Sequence, residues 1–361
     1  MEKDRRLEDA RKEIDRIDQQ MASLFEERMK QAEKVAAYKS DYGLAILDTR
    51  REEDLVKQRL TALTRPELAG YYADFLRQTM RISKSYQTEL MEGMKVAYSG
   101  IEGAYAYVAC QKLFPSAESL AYPDFKAAYD AVVDNRAQVA VLPLENSSAG
   151  EVGQVTDLIF SGPLSINNTF ELTISHDLLA PPGADLTTIK RVMSHPQALS
   201  QCSDFLRDRG YDQIPCENTA IAAAKVADQN DPELAAIASG ETADLYGLQA
   251  VAKGINSSAN NTTRFAVLSA KSSVDSDNRG QEHFILMFTV KNVAGSLARA
   301  LNIIGSYDFN LRVLRSRPMK KLLWQYYFYA EAEGNIHSTA GNDMMEALRV
   351  CCDHLKLVGV F

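Results

Sequence analysis

The stretch AQVAVLPLENSS, residues 137–148, indicates the fold of the middle of this chain. It is a short, apolar, β-prone run that ends in turn residues, and MKVAYSG at residues 94–100 has the same form. Helical stretches separate such runs as far as about Ser269. This alternation of short strands and helices predicts an α/β domain with parallel strands.

The sequences on either side of this region differ from it in composition and in predicted secondary structure. Residues 1 to about 92 contain one proline, Pro66, and two glycines, which predicts helix almost throughout. The polar segment KSSVDSDNRGQE, residues 271–282, is typical of a linker. After it the pattern is strand, helix, strand, strand, helix and a closing strand, which predicts a ferredoxin-like βαββαβ module. We expect three domains, at residues 1–92, 94–272 and 283–361.

Composition limits the classes of function. The chain has 361 residues, 46% of them hydrophobic, and a formal net charge of −8. This charge argues against nucleic acid as a partner but not against small anions, which local cations can hold. The five cysteines lack metal-site spacing, the N-terminus does not resemble a signal peptide, and no apolar run is long enough to span a membrane. We expect a cytoplasmic protein with reduced thiols and no membrane partner.

Two cations fall on the apolar face of the first predicted helix. At about 100° per residue from Ile17, a stripe of apolar residues lies between about −20° and +60°. Arg28 falls at about +20° and Lys39 at about +40°, whereas Arg11 lies to one side at about +120°. The stripe, which we expect to be buried, consists of Ala10, Ile14, Met21, Leu24, Ala32 and Val35.

Burying two cations is costly unless a negative group meets them. Arg28 and Lys39 can extend their charged ends to water or pair with acidic residues of a neighbouring helix. The alternative is an anion pocket enclosed by helices. Periodicity alone does not separate these two interpretations.

The next two predicted helices add weaker signals. LDTRREEDL, residues 47–55, offers Asp48 or Thr49 as an N-cap, with Glu52 at capping-box spacing from Thr49. The third helix carries Ser83 and Gln87 four residues apart and hence on one face.

Together these features resemble the all-helical chorismate mutase family over residues 1–92. The resemblance implies an intertwined dimer, or a higher oligomer, in which one arginine comes from the partner. It implies that the arginines clamp the carboxylates of chorismate, that Lys39 and Gln87 donate to the ether oxygen, and that Glu52 holds the ring hydroxyl. The family's pattern falls on Arg11 (from the partner), Arg28, Lys39, Asp48, Arg51, Glu52, Ser83 and Gln87.

Several motifs of the middle region lie at predicted strand ends and helix starts, where free N–H groups favour anions. Ser194 precedes a helix that starts with proline, Gln201 lies farther along it, and Thr219 is at a predicted N-cap. Each hydroxyl can equally be a helix cap. His195 can be a structural imidazole or a general acid. The sequence does not show whether these ends converge on one cleft.

The motifs ENSSAG, SHPQALSQC, LYGL and NNTTRF, in this order, resemble the prephenate dehydratase family over residues 94–270. The resemblance implies two α/β lobes, like a periplasmic binding protein, with prephenate in the cleft between them. It implies that Thr263 hydrogen-bonds the departing ring hydroxyl and that Arg264 orients or binds a carboxylate. The remaining residues implied to bind substrate are Asn146, Ser147, Ser194, Gln201, Thr219 and Phe265.

Two departures from that family stand in the cleft motifs. Ala104 and Ala106 occupy positions where the family usually has serine, and Asn218 precedes Thr219 in place of a serine. The lost hydroxyls bear on substrate binding. Because Thr263, Arg264, Asn146 and Ser147 are present, we expect an active enzyme.

Residues 283–361 resemble the ACT regulatory domain, which implies an amino-acid effector, phenylalanine, at a dimer interface. The first effector motif is represented by Gly295, Ser296 and Leu297, although Gly295 can also be an ordinary strand-to-helix turn. The second motif usually begins with glutamate, and Arg315 replaces it with the opposite charge. The second motif here is Arg315, Ser316, Arg317 and Pro318.

We therefore expect a bifunctional chorismate mutase and prephenate dehydratase that needs no metal or organic cofactor, since neither step transfers electrons. One alternative is an active mutase joined to a non-catalytic sensor made of the dehydratase-like and ACT regions. Another is an enzyme that prefers the aminated substrate, arogenate.

Overall fold

The computed structural model describes residues 2–41, 49–115, 117–258, 260–270, 283–319 and 325–360. At helix residues 2–5, 38–41, 49–52 and 91–92 it describes the backbone alone. Contacts divide the chain into two compact units, residues 1–95 and 96–361. None of the described helices has the length and apolar character that crossing a bilayer requires.

The first unit is helical, as predicted. Pro66 begins a short 3₁₀ turn, Pro66–Leu68, because proline has no N–H to lose at a helix start. Gly93, with φ of 74°, ends the last helix. The three helices are α1 (Glu2–Asp41), α2 (Thr49–Leu60) and α3 (Ala69–Glu92).

The predicted burial of the apolar stripe on α1 is wrong for a single copy of the chain, except at Ala32. Ile14, Met21 and Leu24 are 56%, 44% and 63% exposed. The reason is length: at 1.5 Å per residue α1 extends about 60 Å, and α3 only about 36 Å. The other stripe residues, Ala10 and Val35, are exposed as well.

The second unit begins with an α/β lobe whose sheet is mixed rather than wholly parallel. β1 (Lys95–Ser99) and β3 (Val139–Asn146) pair in parallel, as predicted, but β11 (Thr262–Ser269) pairs antiparallel with both β3 and β5 (Ser165–Thr173). The chain leaves this lobe after β5 and returns at β11, which enters the sheet in the reverse direction. The elements of this first lobe are β1 (Lys95–Ser99), α4 (Tyr105–Leu113), β2 (Glu118–Tyr122), α5 (Phe125–Val133), β3 (Val139–Asn146), β4 (Gly150–Glu151), α6 (Gly153–Ser161), β5 (Ser165–Thr173) and β11 (Thr262–Ser269).

A second α/β lobe is formed between those two crossings. Its sheet has the order β10-β6-β9-β7-β8, in which β7 pairs in parallel with β8 and β9 while β6 and β10 are antiparallel. Its elements are β6 (Asp177–Ala180), β7 (Arg191–Ser194), α7 (Pro196–Gln201), α8 (Ser203–Arg209), β8 (Asp212–Pro215), α9 (Thr219–Gln229), β9 (Leu234–Ala238), α10 (Glu241–Tyr246) and β10 (Gln249–Ala252).

The C-terminal module has the expected order of strand, helix, strand, strand, helix, strand, with its strands arranged β13-β14-β12-β15. Side chains of β12 alternate between two cores, as the period of a strand requires. Phe284 and Leu286 pack with the module's own helices, whereas Ile285 and Met287 pack with the first lobe. The module comprises β12 (His283–Thr289), α11 (Ser296–Ser306), β13 (Asn310–Pro318), β14 (Tyr326–Glu333), α12 (Thr339–Cys351) and β15 (His354–Val360).

Candidate active sites

In the helical unit, Arg28 turns toward α3. Its Nη1 donates to Ser83 Oγ and, at 3.4 Å, to the Thr79 carbonyl. Burial lowers the pKa of Arg28, since removal from water disfavours the charged guanidinium. The structure therefore brings two predicted site residues, Arg28 and Ser83, into contact.

Gln87 lies one turn beyond Ser83 on the same face of α3 and is 9% exposed. Its Oε1 is buried, and no hydrogen-bond partner for it occurs among the described residues. A buried amide oxygen without a partner is costly and indicates that something else approaches it. Arg11 is exposed. Asp48 and the side chains of Lys39, Arg51 and Glu52 lie outside the described residues.

A cavity of about 410 Å³ lies between the two lobes of the second unit. Both lobes supply its walls, so it occupies the cleft that the two-lobed arrangement creates. Four predicted substrate-binding or catalytic residues line it: Asn146, Gln201, Thr219 and Thr263.

Thr263 and Asn146 form a pair across two strands. They are opposite each other in the register of β11 and β3, and Asn146 Nδ2 donates to Thr263 Oγ1 at 2.9 Å. Asn146 Oδ1 accepts from the backbone N–H groups of Ser148 and Ala149, which fixes the direction of the amide. Thr263 therefore uses its oxygen as an acceptor, and its hydroxyl hydrogen has no acceptor among the described residues.

A row of hydrogen-bonded side-chain amides continues from this pair along the cleft wall. Asn146 Nδ2 also donates to Asn261 Oδ1 at 2.9 Å, and Asn261 Nδ2 donates to Gln201 Oε1 at 3.0 Å. Gln201 Oε1 lies 2.9 Å from His176 Nε2, which must carry a proton to complete the contact. Burial lowers the pKa of His176, so we take the ring as neutral with its proton on Nε2.

The hydroxyl of Tyr105 is the last member of this hydrogen-bonded row. Its single proton faces two acceptors, His176 Nδ1 at 2.9 Å and the Ser175 carbonyl at 2.7 Å. Burial raises the pKa of Tyr105 well above its ordinary value, so the phenol stays protonated. The polar wall of the cleft is thus a neutral, directed network.

Three helices begin at the cleft; side chains cap the first turns of α9 and α7, whereas the first turn of α4 has no side-chain cap. Asn218 caps α9 by accepting from Ala220 N and Ile221 N at 2.8 and 3.0 Å. His195 Nδ1 accepts from Gln197 N at 3.2 Å at the start of α7. Ala104 is the N-cap of α4 and provides no side-chain cap, which leaves the N–H groups of that turn available.

No arginine or lysine occurs among the described residues that line the cleft, and its acidic residues are Glu151 and Glu217. Helix N-termini carry partial positive charge and bind carboxylates through their N–H groups. An anion bound in this cleft would therefore meet helix starts and neutral donors rather than a cation of the described lining.

Four residues expected to bind substrate lie outside the cleft lining. Ser147 donates to the Asn260 carbonyl and accepts from Thr262 N, so it ties a turn to β11. Ser194 is fully buried and donates to the Ile237 carbonyl. Phe265, 2% exposed, belongs to the hydrophobic core.

Arg264 is the fourth of these residues. As the neighbour of Thr263 on β11 its side chain points to the opposite face, where Nη1 and Nη2 donate to Glu331 at 2.8 and 2.9 Å. This guanidinium is committed to a carboxylate of the C-terminal module, and the geometry does not support its expected contact with substrate.

The sequence interpretation did not select three residues of the cleft wall: Tyr105, His176 and Asn261. Asn261 belongs to the polar run NNTTRF, so the unusual density of polar residues before a strand was a usable signal. His176 lies in the linking stretch between the lobes, and nothing in its sequence surroundings marks it.

The expected effector residues fall into two groups. Gly295, with φ of 83°, precedes α11, which Ser296 and Leu297 begin, and Ser316 and Pro318 are exposed on β13. Arg315 and Arg317 point the other way, toward the first lobe. Arg315 pairs with Glu145, and Arg317 pairs with Asp157 at 3.1 Å and with Glu151 at 3.7 Å.

The fold and the cleft define an enzyme class: a two-lobed α/β protein with a polar cleft between its lobes, joined to a helical unit in which the guanidinium of Arg28 is partly buried. Family models agree with both parts. The model for prephenate dehydratase matches residues 96–273, and that for chorismate mutase type II matches residues 10–88.

Known proteins extend this agreement to nearly the whole chain. The bifunctional chorismate mutase/prephenate dehydratase of Escherichia coli is 30% identical over 97% of this chain and 95% of its own. Arogenate dehydratase/prephenate dehydratase 2 of Arabidopsis thaliana is 32% identical over 74% of this chain and 72% of its own. The crystal structure of prephenate dehydratase from Arthrobacter aurescens, in complex with L-Phe, shares the fold with a TM-score of 0.68 at 24% identity, over 74% of this chain and 89% of that one.

The chain belongs to the bifunctional chorismate mutase/prephenate dehydratase family. It rearranges chorismate to prephenate and converts prephenate to phenylpyruvate by loss of water and carbon dioxide, in phenylalanine biosynthesis.

Proposed function

We propose that the dehydratase reaction takes place in the cleft and that Thr263 donates a hydrogen bond to the departing ring hydroxyl of prephenate. The observation that carries this proposal is the Asn146–Thr263 contact. Because the amide donates to Thr263 Oγ1, the threonine proton is available to the substrate, and donation to Oγ1 strengthens the bond that the hydroxyl gives. Aromatisation of the ring supplies much of the driving force, so a positioned donor is sufficient.

The two carboxylates of prephenate bind, in this proposal, at the starts of α4 and α9. Thr219 adds a hydroxyl at the second of these, and Gln201 contributes from the wall of amides. The uncapped first turn that Ala104 leaves on α4 offers backbone N–H groups in place of a serine hydroxyl. The lost hydroxyls at Ala104 and Ala106 therefore do not remove the anion site.

For the mutase reaction we propose a site made by two copies of the chain. Arg28, Arg51 and a second copy's Arg11 clamp the dicarboxylate in a compact conformer, since a Claisen rearrangement needs orientation and charge stabilisation rather than a proton transfer. Lys39 and Gln87 donate to the ether oxygen, and Glu52 holds the ring hydroxyl, with Asp48 and Ser83 adding polar contacts. The exposed stripe on α1 supports a second copy.

We propose domain bounds of 1–92, 94–272 and 283–361, with the last an ACT regulatory domain that binds phenylalanine. Its site uses the start of α11, at Gly295, Ser296 and Leu297, together with the exposed Ser316 and Pro318. Arg315 and Arg317 are assigned to the first lobe instead, because both are ion-paired there. Calorimetry with phenylalanine tests this: no heat and no inhibition at millimolar concentration would contradict it.

A second candidate substrate for the cleft is arogenate, which carries an ammonium group. Glu217 is an exposed carboxylate in the cleft lining, beside the start of α9, and it can pair with that group. The ratio of kcat/KM for the two substrates decides between them, and Glu217→Gln should lower the arogenate value selectively if this pairing occurs.

A coupled assay from chorismate tests both proposed sites. We expect Arg28→Ala to form no prephenate, and Thr263→Val, which keeps the shape but not the hydroxyl, to accumulate it. A normal yield of phenylpyruvate from Thr263→Val would refute the role of Thr263. All five cysteines are free in the structure, which supports a reducing compartment such as the cytoplasm.

A further inference from the structure

The pair at the centre of the cleft occupies two strand ends. Asn146 is the last residue of β3, and Thr263 is the second residue of β11. Strand ends open more easily than strand centres, because fewer ladder hydrogen bonds and fewer packed side chains hold them. A donor that must meet a departing hydroxyl within a few tenths of an ångström needs additional support at such a place.

Each member of the pair has a charged neighbour one residue further into its strand. Glu145 and Arg264 are opposite each other in the register, directly beside Asn146 and Thr263. Since side chains alternate along a strand, Glu145 and Arg264 point to the face opposite the cleft. That face is the one on which the C-terminal module packs.

The module holds both of these charged residues. Glu331 on β14 accepts two parallel hydrogen bonds from Arg264, at 2.8 and 2.9 Å, and Glu331 is 3% exposed. Arg315 on β13 pairs with Glu145, and its guanidinium lies 5.8 Å from the centre of the Tyr329 ring. Tyr329 Oη adds a bond to Glu331 at 3.3 Å.

The charges of this cluster alternate and balance. Glu145 lies between the two arginines, 3.5 Å from Arg264 Nη1, so two carboxylates meet two guanidinium groups. Burial alone would lower the pKa of Arg264, but its bonds to Glu331 outweigh that effect and raise it. The two parallel hydrogen bonds between Arg264 and Glu331 restrict both the distance and the angle between the groups, which a single hydrogen bond does not.

We infer that Glu331 and Arg315 of the C-terminal module are positioning residues for dehydration: through Arg264 and Glu145 they hold Thr263 and Asn146 in reactive geometry. The module thus supports the reaction whether or not an effector is bound. This inference rests on the proposed role of Thr263 and assigns Arg264 to the support of the site rather than to substrate.

The test compares Glu331→Gln with Glu333→Gln. Glu333 lies two residues along β14 and forms the same kind of pair, with Arg312 at 3.5 Å, but that pair is half-exposed and confined to the module. We expect Glu331→Gln to lower kcat for prephenate by about tenfold or more with KM changed less than about twofold. Glu333→Gln should leave both constants within about twofold of the wild type, and neither change should alter chorismate mutase activity.

A double variant separates positioning from general stability. In a Thr263→Val background no hydroxyl remains to be positioned, so adding Glu331→Gln should have no further effect on the residual rate. If Glu331→Gln does not fold, Arg315→Gln, on the more exposed side of the cluster, takes its place with the same expected split of kcat and KM. A kcat within twofold of the wild type, or losses that multiply in the double variant, would overturn the inference.

The outcomes also separate this inference from the proposed site. If Thr263→Val remains fully active, the assignment of the catalytic hydroxyl fails. If Thr263→Val is inactive while Glu331→Gln is unimpaired, only the role of the module fails.

Discussion

The helical unit and the interlobe cleft differ in how much of a site one chain provides. In the helical unit Arg28 meets Ser83, but no partner for Gln87 Oε1 occurs among the described residues, Arg11 is exposed, and most of the apolar stripe of α1 is exposed. In the cleft both walls, the donor pair and three helix starts come from the same chain. The comparison supports the proposal that the mutase activity depends on assembly of two chains and the dehydratase activity on the alignment of two lobes of one chain.

The largest expected effect comes from placing a charge on the stripe of α1. Leu24→Glu should dissociate the proposed dimer and lower mutase activity by about 100-fold or more, since the clamp loses a second copy's arginine. Dehydratase activity per chain should change less than about twofold. Analytical ultracentrifugation together with both assays measures this.

Lys12→Glu, which places the same charge on the opposite, exposed side of α1, is the matched control and should alter neither activity. A monomeric Leu24→Glu protein with normal mutase activity would break the comparison.

Asn146→Asp addresses the cleft alone. A carboxylate can still accept from Ser148 N and Ala149 N, so the turn is kept, but it cannot donate to Thr263 Oγ1. We expect kcat for prephenate to fall by about 10- to 100-fold, because Thr263 is misdirected and a negative charge faces an anionic substrate. Steady-state kinetics measure this loss, and unchanged mutase activity in the same preparation serves as the control.

Gly103→Ala should reduce the stability of the second unit. Gly103 has φ of 85°, and an added Cβ would lie 3.0 Å from Thr242 Cγ2, so the substitution adds crowding to backbone strain. We expect the free energy of unfolding of the second unit to fall by about 1–3 kcal/mol in urea titrations.

Gly183→Ala isolates the backbone contribution. Gly183 has φ of 91° with nothing within 4 Å of an added Cβ, so its loss should be smaller, at about 1 kcal/mol. Equal losses at the two glycines would show that the packing of Gly103 against Thr242 is unimportant.

The smallest expected effect is a pH dependence of stability from His176. Burial lowers its pKa, with the Gln201 bond and Asp177 opposing that shift in part. The unfolded chain therefore binds the proton more readily, and stability is complete above the ordinary histidine pKa of about 6.5 and decreases as pH falls below it. His176→Gln should reduce the loss of unfolding free energy between pH 7.5 and pH 5.5, whereas His337→Gln, at an exposed position, should not.

The sequence predicted the element types well, because local pattern determines them. Helices at residues 1–92, alternating strands and helices after Lys95, and the order of the C-terminal module were all readable from periodicity and turn residues. The antiparallel entry of β11 was not, since it follows from where the chain returns after the second lobe. The exposure of Ile14 and Leu24 was not readable either, because a wheel shows which face is apolar but not what covers it.

The cleft site was only partly predictable, because local motifs mark residues but do not show which way their side chains face. Thr263 and Asn146 belong to motifs that distinguish them, but which face of a strand meets the cleft depends on register. Arg264 and Phe265 share the motif of Thr263 and yet lie on the back of the strand and in the core. His176 joins the network through an amide chain that spans the two lobes, and contacts of that kind leave no local signature.

The last strand has a consequence for engineering. β15 pairs with β5 in parallel at Gly359 and Ile166, so a single ten-stranded sheet runs from the first lobe into the C-terminal module. Cutting the chain before β12 would leave one margin of β5 without its neighbour and uncover Ile166, which is now 1% exposed. A chain shortened in that way should precipitate, and substitutions at the start of α11 are the way to test the proposed phenylalanine site without uncovering Ile166.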